Sequence, residues 1–186
     1  MSSVRYLALL RGINVGGNNI IKMSALKSCF EKMGCIDVAT FIQSGNVIFS
    51  SDEKNKVKLT LKIENELSKT FNYNSRIVLV TDKGLNGIIR NAPENFGSDP
   101  SNFRYDVIFL KEPLTAQTAM NDVKIREGVD NAYAGKNVLY FSRLTAKASQ
   151  SRLPKIIMLP IYKYMTIRNW NTTTKLLALM DKVSSA

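Results

Sequence analysis

Strand-period and helix-period segments follow one another along this chain in a fixed order, and past the middle of the chain that order begins again. VRYLALL (residues 4–10) is a buried-strand pattern, and Leu26, Cys29, Phe30 and Met33 recur at helical spacing before Gly34, a natural helix stop. VATFIQSGNVIFS (38–50) reads as a hairpin turning at Ser44-Gly45-Asn46. Leu59, Ile63 and Leu67 mark a second helix, which Ser51 or Asp52 can cap, and RIVLVT (76–81) closes the set as a strand. The order is βαββαβ, a split βαβ arrangement. In the second half RYDVIFLK (104–111), LTAQTAMNDV (114–123) and the hairpin NAYAGKNVLYFS (131–142) repeat it. SGNVIF and GKNVLYF each place a glycine turn before an Asn-Val strand start. A helix over 151–164, broken or kinked at Pro160, a short strand at 165–167 and a helix from Thr172 to Lys182 complete a less regular copy. The expected class is α+β: two tandem, pseudo-duplicated ferredoxin-like units with antiparallel sheets, the second distorted and followed by a C-terminal helix. NAPENFGSDPSNF (91–103), dense in turn-forming residues, is the expected boundary, giving units 1–95 and 96–186.

The 186 residues contain no histidine, which removes the usual neutral-pH general base, the Ser-His and Cys-His nucleophile pairs and the commonest zinc ligand. The two cysteines, Cys29 and Cys35, read as reduced thiols rather than a disulfide framework. Twenty-six basic residues against 15 acidic ones give a formal charge of +11, a field that favours phosphates, nucleic acids and acidic metabolites, or that serves solubility alone. From 143 to 186 the basic residues have only Asp181 opposing them. The N-terminal apolar run is too short for a signal-peptide core and no run reaches membrane-spanning length, so the expected location is cytoplasmic, with no membrane partner.

Three polar blocks stand at the ends of these elements. In RGINVGGNNIIKM, Arg11 and Lys22 bracket Gly12, Asn14, Gly16 and Gly17 ahead of a helix start near Ser24, a composition suited to holding a phosphate or carboxylate on backbone N–H groups. It matches neither the P-loop nor the dinucleotide pattern, and a glycine-shaped connection that caps the helix is the alternative. Gln43, Ser44 and Asn46 at the first hairpin offer uncharged donors and acceptors, or stabilise the turn. In TIRNWNTTTKLL, Asn171 or Thr172 suits an N-cap, leaving Arg168, Asn169 and the sole tryptophan, Trp170, on the connection before the helix. Trp170 reads as a packing anchor or as a stacking surface. None of the three blocks holds a carboxylate, so no metal site is expected, although Asp37 or Asp106 could fold in from elsewhere.

YLALLRGINVGGNNIIKM, FIQSGNVIF and TIRNWNTTTKLL together resemble the bacterial family known as domain of unknown function 1697 (DUF1697), over essentially the whole chain. Its RGINVGG, IQSGN and RNWNT blocks correspond to Arg11–Gly17, Ile42–Asn46 and Arg168–Thr172. The resemblance implies a conserved bacterial cytosolic protein built as an α+β duplication, with no established activity or cofactor. Where the family has Ser-Lys-Leu-Thr, this chain has Ser151-Arg152-Leu153-Pro154, which keeps the charge and loses the amine. The leading expectation is a phosphate- or nucleotide-like anion held where the three blocks converge, by Arg11, Gly12, Asn14, Gly16, Gly17, Lys22, Gln43, Ser44, Asn46, Arg168, Asn169, Trp170 and Asn171. The alternatives are a histidine-independent transferase or hydrolase acting on a phosphorylated small molecule, and a nonspecific nucleic-acid-binding module. Whether the chain is an enzyme stays open, and a monomer is the default expectation.

Overall fold

The structure, a computed structural model, describes residues 3–183. Its contacts divide the chain into two compact units, Met1–Leu85 with Leu176–Ala186, and Asn86–Lys175. The 91–103 segment thus falls wholly within the second unit. Among the described residues no helix is long and apolar enough to cross a membrane.

The first unit runs β1 (Val4–Leu10), α1 (Met23–Lys32), β2 (Ile36–Phe41), β3 (Asn46–Ser51), α2 (Lys56–Phe71) and β4 (Ile77–Thr81). Its antiparallel sheet has the order β2-β3-β1-β4, so each helix carries the chain across an intervening strand, as the split βαβ pattern requires. Alternation puts Tyr6, Ala8 and Leu10 on one face with Val47, Phe49, Ile77 and Leu79, where α1 contributes Leu26, Cys29 and Phe30, and α2 contributes Leu59, Ile63 and Leu67. Phe49 sits between Tyr6 and Phe30 at ring-centroid distances of 5.7 and 5.1 Å. The cap of α2 is Asn55, whose Oδ1 accepts the Lys58 N–H at 3.0 Å, in place of the expected Ser51 or Asp52. Ser51 instead ends β3, and its hydroxyl accepts the Glu53 N–H.

The second unit repeats the order with β5 (Phe103–Leu110), α4 (Ala116–Asp122), β6 (Asp130–Ala134), β7 (Val138–Leu144) and β8 (Met165–Asn169), in a sheet ordered β6-β7-β5-β8. The repetition extends to single hydrogen bonds. Leu10 N–H donates to Gly45 O and Arg11 N–H to Arg76 O; Leu110 N–H donates to Asn137 O and Lys111 N–H to Tyr164 O. Two helices join the units' sequences, α3 (Asp82–Arg90) and α5 (Trp170–Val183). The first was not expected: DKGLNGIIR carries two glycines, yet Leu85 is fully buried and Thr81 Oγ1 accepts the Gly84 N–H.

The expected helix at 151–164 is not α-helical. Two short 3-10 segments, Leu153–Met158 and Pro160–Tyr164, take its place, after a third, Thr145–Gln150, just before it. Pro154 and Pro160 each stand in the first positions of one segment, where a missing N–H is harmless, and each forbids the continuous ladder of one long helix. The path is held by Asp130, whose Oδ2 accepts the Arg126 and Arg152 N–H groups at 3.0 and 2.8 Å. Beside it on the same face, Asp106 lies 3.5 Å from the Arg143 guanidinium. Burial raises the Asp106 carboxyl above its ordinary range, and the nearby Arg143 and Arg104 only partly offset that rise.

Phe49→Ala should lower stability by about 3–5 kcal/mol, read as a drop in urea midpoint. Asp106 gives a pH signature. A carboxyl with a raised folded pKa binds its proton more tightly in the native state, so its contribution to stability declines as pH rises from the ordinary carboxylate range through the folded value. The stability difference between Asp106→Asn and the unaltered protein should therefore shift in the variant's favour as pH rises from about 4 towards neutrality.

Candidate functional site

The glycine loop connects β1 to α1 through twelve residues, 11–22, whereas the equivalent connection from β5 to α4 takes five, 111–115. The fold therefore closes this crossover with seven residues fewer. The extra length has one enforced conformation: Gly12, Asn14, Gly16, Gly17 and Asn19 all have positive φ, between 46° and 78°. Glycine and asparagine tolerate that region best, which is why these residue types recur here.

The side chains of Asn14 and Asn19 tie the loop together. Asn14 Nδ2 donates to Ile21 O at 3.0 Å and to Gln43 O at 2.9 Å, while its Oδ1 accepts the Ile21 N–H at 2.8 Å. Asn19 Nδ2 donates to Gly12 O at 2.8 Å, and Asn14 N–H to Asn19 O. Ile13 and Ile21 bury the two stems in the core. The tip, Val15 to Ile20, is exposed. No hydrogen bond among the described residues takes up the Gly16 or Gly17 N–H. Lys22 is exposed at the N-cap of α1, a helix with no side-chain cap and no acidic residue in its first turn. From the N-terminus to Phe30 the sequence holds four basic residues, Arg5, Arg11, Lys22 and Lys27, and no acidic one. Arg5 and Lys27 each lie 3.7 Å from a carboxylate, Asp37 and Glu31, which leaves Arg11 and Lys22 as the cations that flank the loop beside a helix N-terminus, an arrangement electrostatically suited to an anion.

The hairpin block meets this loop within the first unit. Gln43 does so through its carbonyl, and Gly45, at φ 75°, packs where a Cβ would lie 2.7 Å from Ile13 Cδ1 and 2.8 Å from Leu10 Cβ. Asn46 is fully buried; its Nδ2 donates to Phe41 O and to Ser44 Oγ, so its amide closes the turn.

The third block is built in the second unit. Arg168 and Asn169 are the last residues of β8, and α5 starts directly at Trp170, so no connection separates strand from helix. The capping role falls to Asn169, whose Oδ1 accepts the Asn171 N–H at 2.9 Å, rather than to Asn171 or Thr172. Arg168 is buried, and desolvation brings its guanidinium down to about 10, so it stays charged at neutral pH. Its register partner is Val107, which places it with Tyr140 and Phe109 on one face of the sheet. Asp106 pairs with Asn169 and points to the opposite face. Trp170 meets Phe96 edge-on at 5.1 Å, and Gly97, at φ 91°, leaves room for the indole. A cavity of about 110 Å³ there is lined by Arg104, Tyr105, Asn169, Trp170 and Asn171 among others. Asp37, the other candidate carboxylate, lies 3.7 Å from the Arg5 guanidinium and accepts the Ser50 hydroxyl.

The organising roles of Ile13, Asn19 and Ile21 were not apparent from the sequence. The i to i+7 spacing of Asn14 and Ile21, and of Gly12 and Asn19, is their only trace there. Asn14→Ala should cost about 1–3 kcal/mol, because the buried Ile21 amide loses its acceptor, and exchange of the Ile21 N–H with deuterated solvent should accelerate accordingly.

No curated protein matches the chain. Among solved structures, a conserved bacterial protein from Streptococcus pneumoniae superposes with a TM-score of 0.84 at 26% identity, covering 96% of this chain and 99% of its own. The family model described as protein of unknown function (DUF1697) matches residues 4–140, which include both the glycine loop and the QSGN hairpin, and the chain belongs to that family.

Proposed function

We propose that this protein binds a small phosphate- or carboxylate-bearing ligand at the glycine–asparagine loop of its first unit. The observation that carries this reading is the seven-residue excess of that loop over its counterpart in the second unit, tied across by the Asn14 and Asn19 side chains. Burial of Ile13 and Ile21 and the Asn14–Gln43 bond account for the stems of the loop, and the exposed tip from Val15 to Ile20 is the part left for a ligand. Preorganisation matters because a loop already ordered loses little entropy on binding. The ligand accepts hydrogen bonds from the Gly16 and Gly17 amides, and Arg11 and Lys22 supply charge. Exposed Val15 and Ile20 add an apolar contact that favours a nucleotide-like body over a bare ion. Gln43 and Ser44 line the hairpin side.

A histidine-independent transferase or hydrolase would want a carboxylate on the Arg168 face of the second sheet. Asp106 occupies the other face, away from Arg168. Nucleic-acid binding would rest on net charge alone, and would fall steeply with salt regardless of the loop.

The test is a melting-temperature screen with pyrophosphate, nucleotides and dicarboxylates, applied to three chains: unaltered, Lys22→Glu, and one lacking residues 14–20. The deletion joins Ile13 to Ile21 and leaves a five-residue crossover, the length the second unit already uses. The unaltered protein should show a rise of the size expected from ligand concentration over Kd. Lys22→Glu should weaken that rise and the deletion should abolish it. An equal rise in all three chains would place the ligand elsewhere and end this reading.

A further inference from the structure

Away from the glycine loop, the first unit contains a cavity of about 240 Å³ where the end of α1, the end of β3 and the first turns of α2 come together. Its floor is apolar: Leu59 and Ile63 are buried, Cys35 is 7% exposed, and Met33 closes one side. Its rim is charged. Lys58 Nζ lies 2.7 Å from Glu53 Oε2, and this pair is close to neutral as a unit. Lys62 Nζ donates instead to the Met33 carbonyl at 2.7 Å, a neutral acceptor that leaves its positive charge in place. The rim therefore carries one net positive charge, fixed in position by a hydrogen bond, above a hydrocarbon floor.

We propose that this cavity is a second binding site, distinct from the loop, for a small monoanion with an apolar body, such as an aromatic carboxylate. Size, charge and lining each narrow the choice. An apolar cavity of roughly 150 Å³ is known to accept benzene, so the volume here holds one six-membered ring together with a short acidic arm. Lys62 attracts the carboxylate, whereas Glu53 repels a second negative charge and Lys62 repels a cation. Met33 and Cys35 present polarizable sulfur to an aromatic ring. Burial pushes the Cys35 thiol up to about 11, so at neutral pH it is an uncharged wall of the cavity and places no thiolate against a bound anion.

Cys35 also supplies the readout. In a Cys29→Ala background, its reaction with a small methanethiosulfonate reagent is followed with and without benzoate. Bound benzoate should slow the reaction about tenfold at roughly ten times its Kd, while acetate and benzyl alcohol at equal concentration should protect far less. Lys62→Gln should remove the protection, and Glu53→Gln, which frees the Lys58 charge, should strengthen it. If the thiol resists the reagent, the melting-temperature rise with benzoate decides the matter: Lys62→Gln should abolish it and Lys22→Glu should leave it intact. Equal protection by benzyl alcohol, protection that survives Lys62→Gln, or no benzoate effect in either measurement would overturn the proposal. A benzoate effect lost in Lys22→Glu and retained in Lys62→Gln would overturn it too, and assign the anion to the loop.

Discussion

The last hydrogen bond of each central strand fixes what surrounds it. Leu10 N–H reaches the Gly45 carbonyl, and Leu110 N–H reaches Asn137. Each bond locks a hairpin turn onto an interior strand of its sheet, and the next residue, Arg11 or Lys111, ties the neighbour on the other side through Arg76 or Tyr164. A one-residue slip would exchange faces, and in the first sheet neither face tolerates that. Tyr6, Ala8 and Leu10 are buried on one side, and Leu7 and Leu9 on the other. The turn has to come close to make the bond, which is why Gly45 has no space for a Cβ and why Asn137 adopts φ 60°.

Because the two units solve the same topological problem, each serves as a control for the other. Where they agree, in strand order and in these paired hydrogen bonds, the fold alone accounts for the residues. Where they differ, the difference needs another cause. The replacement of the second-unit helix by 3-10 segments has one in its prolines and in the Asp130 contacts. The glycine loop has no comparable cause in the fold. Its stems are bonded and buried, while its tip from Val15 to Ile20 stays exposed.

Much of the architecture was legible because burial on both faces gives short, dense apolar runs such as VRYLALL and RIVLVT, and because the crossover helices carry apolar residues three or four apart. What escaped depended on partners distant in sequence. α3 was hidden because Gly84 and Gly87 depress helix propensity, and burial of Leu85 and Ile88 overrides that preference. Arg168 and Asn169 looked like a connection because a five-residue edge strand is too short to show a period, and only pairing with β5 makes it a strand. In the site, the glycines announced a loop, but Asn14 and Asn46 were legible only as polar side chains. That both bond inward follows from acceptors at Ile21, Gln43 and Phe41, which composition does not reveal. The aromatic packing of Phe96 on Trp170 likewise turned a segment rich in turn formers into part of the second unit.

Net charge is a weak guide to ligand class here, since its local arrangement differs between the two places proposed to take an anion. At the loop, Arg11 and Lys22 flank backbone donors, and directed N–H groups can read the geometry of a phosphate. At the α1–α2 cavity the cations are two lysines, one neutralised by Glu53 and one bonded to a carbonyl. Such a rim can register one negative charge and little of its shape, so selectivity there falls to the apolar floor and its volume. A protein whose charge served solubility alone would gain nothing from fixing Lys62 over Leu59 and Ile63, because a lysine extended into water does that work with more rotamer freedom.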